Sequence, residues 1–233
     1  MIRPPLLFLM PKQMKTCLLP LIFTILSAPL LPAATADTLE LKASGDIFVQ
    51  TDTLGELQIY ADVQEKPQDR WVQVYSKQKT APTSGKEVEG EMTYPFADGS
   101  ATLLTIKATI DHGNVIAKAT WASDGTPKGF VRVNLKIPFD AAGDLTIESE
   151  GKPLFTGFDI QPINIPRTSE LAFRRKSTGA FLFKLTGEFG GLILFNPDKL
   201  EDGLTLRIDT LQYGGEPTIN DVKEAGWTLS FKE

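Results

Sequence analysis

The chain has 233 residues, 24 Lys and Arg against 29 Asp and Glu, and a formal net charge of −5. That acidic balance excludes a broad nucleic-acid surface, because phosphates demand clustered cations, and it weighs against anionic lipid. A single Cys and a single His leave too few ligands for zinc, which takes three or four His, Cys or carboxylate groups.

The first predicted element is a leader. Lys12 and Lys15 precede an apolar run from Cys17 to Leu31, and Ala34-Thr35-Ala36 follows. A basic stretch, a short apolar core and a small-x-small end are the three parts of a secretory signal. The expected cut falls between Ala36 and Asp37, making residues 1–36 a cleaved signal peptide and residues 37–233 a single domain. A membrane-spanning helix needs about 20 apolar residues; this run is shorter and is interrupted by Pro20, Pro29 and Pro32. Met14-Lys15 also opens an ordinary signal, so either Met1 or Met14 can be the start. Cys17 stands before the apolar core, too early for a lipid-anchored cysteine.

Cleavage removes Arg3, Lys12, Lys15 and the only Cys. The exported part is then more acidic and has neither a disulfide nor a thiol nucleophile. Roughly 200 residues bury enough surface to be stable without crosslinks. The expected location is periplasmic or secreted, with no stable membrane insertion after the leader is lost.

Beyond the leader, period-two alternation predicts strands. In Arg70–Ser76, Trp71, Gln73 and Tyr75 share one face, and Val72 and Val74 share the other, core-facing side. Pro67 to Asp69 and Ala81 to Lys86 read as surface loops. Glu89, Glu91 and Asp98 flank Tyr94. Asp111-His112-Gly113-Asn114 has the form of a hairpin turn, followed by Val115, Ala117, Ala119 and Trp121 on a core face. The cleanest alternation is Phe130–Pro138, with Val131, Val133, Leu135 and Ile137 on a dry face and Arg132, Asn134 and Lys136 on a wet one.

Pro162 and Pro166 bracket an irregular connection. Phe181, Phe183 and Leu185 alternate in Ala180–Thr186. Gly187-Glu188-Phe189-Gly190-Gly191 lacks the lysine and helix of a phosphate loop and reads as a loose hairpin. Asp198, Glu201 and Asp202 lack the spacing of a calcium loop. Leu204, Leu206 and Ile208 alternate in Leu204–Leu211. Thr218–Ala225 is the one helix candidate, capped by Thr218 and stopped by Gly226. Trp227, Leu229 and Phe231 form a last core-facing stripe. Many short strands with Gly and Asx turns predict an all-β fold, a large two-layer antiparallel β-sandwich with at most one short helix.

No catalytic residue is assigned. His112 is the only imidazole available to a Ser-His-Asp arrangement, it sits in a turn, and no Ser has the glycines of a nucleophile elbow. Neither a metal nor a cofactor is expected. The candidate ligand-binding residues are Trp71, Gln73, Tyr75 and Tyr94. Flat rings beside amides suit a sugar, whose C–H face stacks while its hydroxyls hydrogen-bond; the same rings suit a protein interface. The competing expectation is that a second layer covers them.

Ala101 to Asp209 carries Asp98-Gly99 ahead of it, then a strand, a Gly113-Asn114 turn, Val115–Trp121, Val131–Pro138, a Gly143-Asp144 turn and Thr146–Pro153. This order resembles the large β-sandwich modules that accompany catalytic domains in exported bacterial polysaccharide-degrading enzymes. The resemblance implies carbohydrate binding and carries over no catalytic residue. The leading expectation is therefore an exported, non-catalytic binding domain for a glycan. A cell-envelope structural or protein-interaction module is one alternative, and a glycoside hydrolase with an unrecognised carboxylate pair is the other.

Overall fold

Alternating apolar residues bury one side of nearly every strand. A computed structural model describes residues 35–65, 70, 72–77, 80–124, 129–138, 143–156, 163–195, 203–209 and 224–233. These residues form fifteen strands, all paired antiparallel. In chain order they are β1 (Ala36–Leu41), β2 (Ile47–Thr51), β3 (Gly55–Glu65), β4 (Val72–Val74), β5 (Thr83–Gly85) and β6 (Glu87–Pro95). Then come β7 (Ala101–Asp111), β8 (Asn114–Asp124), β9 (Gly129–Ile137), β10 (Leu145–Ser149) and β11 (Lys152–Thr156). The last four are β12 (Ile163–Arg175), β13 (Phe181–Phe195), β14 (Leu204–Asp209) and β15 (Glu224–Ser230).

The fold is the expected β-sandwich of two antiparallel sheets packed face to face. One hydrogen-bonded path nonetheless runs through both layers, in the order β5-β1-β2-β3-β9-β14-β13-β15-β8-β7-β6. Its two ends approach each other: β1 lies against β6 and β7, and β5 against β6. The hairpin β10–β11 extends from β12, which pairs with β13. β4 pairs with the last residues of β3.

A continuous apolar core fills the space between the layers. It includes Leu39, Leu41, Ile47, Leu57, Ile59, Leu104, Ile106, Leu135, Leu185, Leu206 and Leu229, none more than 1% exposed. Trp121 and Trp227 belong to this core, each 5% exposed, as their apolar stripes predict. Tight turns join neighbouring strands: His112-Gly113 links β7 to β8, and Glu150-Gly151 links β10 to β11. Both residues of each pair have positive φ, 50° and 83° in the first and 51° and 71° in the second. That geometry matches the right-handed twist of the flanking strands.

Four local expectations are corrected. Ala81 to Lys86 is not all loop: Thr83–Gly85 pairs with β1 as β5. Pro166 lies inside β12, where the ladder shifts register between Ile165 and Thr168; proline has no N–H to give, so it belongs at such an irregularity. Gly187 to Gly191 is continuous strand within β13. A β-carbon on Gly187 would sit 2.8 Å from the Gly226 carbonyl oxygen, so this glycine permits close strand approach rather than a turn. Residues 218–223 of the helix candidate lie outside the described residues; Glu224 and Ala225 are strand, and Gly226 continues β15 instead of ending a helix.

Candidate ligand-binding face

The core side of β3, β9 and β14 is taken by Leu57, Ile59, Val63, Val131, Val133, Leu135, Leu204 and Leu206. The intervening residues must therefore point to the opposite face. Strand register arranges them in rows. Gln58 stands opposite Lys136, and Lys136 opposite Thr205; Tyr60 stands opposite Asn134, and Asn134 opposite Arg207. Asp62 stands opposite Arg132, and Gln64 opposite Gln73 of β4. Four strands thus present amides, one tyrosine and several charges on one side.

This face is partly buried rather than fully open. Asn134 is 3% exposed and Asp62 is 9% exposed, while Tyr60, Arg132, Lys136, Thr205 and Arg207 are half-buried. The Tyr60 side chain is near enough to Thr205 and Arg207 of β14, two strands away, for both to act on its hydroxyl, so it leans across β9. Burial pushes the Tyr60 hydroxyl above its ordinary value; Asp62 and Asp46 add to that, and Thr205 and Arg207 pull against it. Gln58 Nε2 donates to Asp46 Oδ2 at 3.1 Å.

Asp62 is held only in part. Its Oδ2 accepts from Gln64 Nε2 at 3.2 Å and lies 3.8 Å from a terminal guanidinium nitrogen of Arg132. Its buried Oδ1 has no hydrogen-bond partner. Leaving a buried acceptor unsatisfied costs about 1–3 kcal/mol. The fold therefore keeps an unused acceptor at the β4 end of this face.

The sequence-predicted residues divide. Gln73 is exposed and joins this face through Gln64. Tyr75, the residue after β4 ends, is 78% exposed. Trp71 lies outside the described residues. Val74 is buried as expected, but Val72 is 43% exposed, because β4 is only three residues long and pairs with β3 alone among the described strands. Tyr94 is elsewhere: it is 6% exposed, with its hydroxyl 3.5 Å from Met92 Sδ. Burial, then Asp46 and Asp62, push Tyr94 up to about 12.

The other acids and the histidine have ordinary surroundings. Glu89 and Glu91 are exposed on the side of β6 opposite Tyr94, and Glu89 pairs with Lys107 at 3.6 Å. Asp98 accepts from the Ser100 amide at 3.0 Å. His112 is exposed in its turn, 2.7 Å from Asp111. Asp198, Glu201 and Asp202 lie outside the described residues. Among the described residues no group of three His, Cys, Asp or Glu could hold a metal ion, and no helix is long and apolar enough to cross a membrane.

Sequence reasoning recognised Arg132, Asn134 and Lys136 as a wet face, and set Thr205 and Arg207 on the polar side of their strand, but missed Tyr60 and Asp62. The alternation of Tyr60, Asp62 and Gln64 with Ala61 and Val63 was available as a signal. The pairing of β3 with β9 and of β9 with β14 was not, because each joins segments far apart in the chain. No family model, curated protein or solved structure matches this chain.

Proposed function

We propose that this chain is an exported, non-catalytic domain that binds carbohydrate on the face formed by β4, β3, β9 and β14. The observation that carries the reading is the adjacency of exposed Gln73 and Tyr75 to a partly buried row of Gln64, Asp62 and Tyr60. An exposed ring offers a stacking plate for the C–H side of a sugar. The amides of Gln73 and Gln64 match a ligand dense in hydroxyls. The leader-like sequence of residues 1–36 supports a periplasmic or secreted location.

Affinity electrophoresis through gels containing soluble glycans tests this. Retardation by at least one glycan is expected, and Tyr75→Ala should weaken it about tenfold, the equivalent of roughly 1.4 kcal/mol. A second reading draws on the neighbouring exposure of Val72 at 43% and Tyr75 at 78%, an apolar edge that suits an envelope protein. Absence of retardation on every glycan sinks the first reading and favours this one.

A further inference from the structure

We infer that the face selects a carboxylated sugar, with the carboxylate held between Lys136 and Arg207. The inference rests on the carbohydrate-binding reading above and adds the chemical class of ligand.

The two cations are brought together by register alone. Lys136 stands opposite Thr205, and Arg207 opposite Asn134, so they are diagonal neighbours across β9 and β14, about 7–8 Å apart along the backbone. Both are half-buried. Among the described residues neither enters a salt bridge, whereas Arg132, Arg174, Arg175, Lys107, Lys118 and Lys184 all do. Two half-buried cations side by side, without an ion-pair partner among the described residues, repel each other and resist desolvation. They do so in a chain with more acids than bases, where counter-charges are plentiful. A bound anion relieves both costs.

The surroundings fit a carboxylate on a sugar better than a bare ion. Thr205, half-buried opposite Lys136 and two residues from Arg207, adds an uncharged hydroxyl beside the two cations. The Tyr60 side chain leans toward the same two rows, close enough to Thr205 and Arg207 for both to act on its hydroxyl. Arg207 can meet a carboxylate with two parallel N–H donors, and Lys136 adds a point charge. Of the nearby acids, Asp62 faces Arg132 in the next row, and Asp46, which keeps its charge while accepting from Gln58, forms no ion pair with either cation among the described residues.

The test compares one sugar with and without its charge. Titration calorimetry of the full chain would use oligogalacturonate, oligoalginate and hyaluronan oligosaccharides, each against its methyl ester. At least one acid should bind ten or more times tighter than its ester, and the ratio should shrink steeply between 50 mM and 0.5 M salt. Arg207→Gln and Lys136→Gln should each bring the acid-to-ester ratio toward one, with far-ultraviolet spectra like that of the parent chain. Equal binding of acid and ester overturns this inference while leaving carbohydrate binding intact. A preference that survives both substitutions also overturns it. Failure of every acid and ester to bind overturns this inference and the proposed function together.

Discussion

The Met92 sulfur lies only 1.8 Å from the position that a β-carbon on Gly45 would take. The β1–β2 turn therefore seats its tip directly on the inner side of β6, where Met92 is 1% exposed. Gly45 also has φ of 88°, a backbone state that side chains resist. Gly45→Ala is expected to cost about 2–4 kcal/mol, from overpacking and backbone strain together. Its cost should fall when Met92 is already Ala, because the colliding atoms are gone. Urea unfolding of the two single variants and the double variant checks this; additive losses would show that the contact is not the cause.

Stability should decline in alkali through Tyr94. Its hydroxyl ionises near pH 12 when folded and near 10 when unfolded. The folded state therefore holds its proton more tightly, so this contribution is intact below pH 10 and is lost as pH climbs toward 12. The full loss amounts to about 2–3 kcal/mol. Tyr94→Phe should flatten the decline while changing little at pH 8, since the hydroxyl meets only the Met92 sulfur. Tyr60, also raised, leaves a residual slope in the same direction. An alkaline profile identical in parent and variant would refute the assignment.

Asp144 locks the β12–β13 hairpin from outside. Its Oδ1 accepts from the Ser177 amide and its Oδ2 from the Ser177 hydroxyl, both at 2.8 Å. The Ser177 hydroxyl bond is the main reason its carboxyl sits below the ordinary value; burial opposes it, and the Ser177 amide and Arg175 add to the lowering. A depressed value means stability that is present at neutral pH and lost as acid protonates the carboxylate. Asp144→Asn should cost about 1 kcal/mol at pH 7, with the difference from the parent vanishing in strong acid. Thermal melts across that range measure it.

Phe231 ties the end of the chain to the core. Phe173 and Phe183 stack with centroids 4.1 Å apart, and Phe231 tilts against Phe183 at 5.9 Å. The Phe231 amide donates to Asn114 Oδ1 at 3.3 Å, linking it to the start of β8. Phe231→Ala is expected to cost about 3–5 kcal/mol, seen as a lower urea midpoint with an unchanged slope. A loss below 1 kcal/mol would mean the three rings do not pack as a unit.

Much of this fold was legible because alternation states which side of a strand is dry. Val131, Val133 and Leu135, and again Trp227 and Leu229, fall where their pattern puts them. Turns such as His112-Gly113 were legible because only certain residues accept positive φ. Errors arose where glycine and proline carry two meanings. Gly187 marks close strand approach, Pro166 marks a break in a ladder, and neither ends an element. The candidate face was half visible: Gln73 and Tyr75 stood out as a ring-and-amide strand, and Arg132 to Lys136 as a polar one. Their union with Tyr60, Asp62 and Arg207 depends on which strands become neighbours, and local sequence does not encode that.

The pairing of β3 with β9, and of β9 with β14, has a kinetic consequence. Each ladder joins residues between 64 and 78 positions apart, so large loops must close before the central strands gain their partners. Chains of such high contact order fold on the scale of milliseconds to seconds rather than microseconds. Throughout that interval the backbone edge of β3 that pairs with β9 stays unpaired, and dilution or a holding chaperone would decide how much of the population reaches the native state.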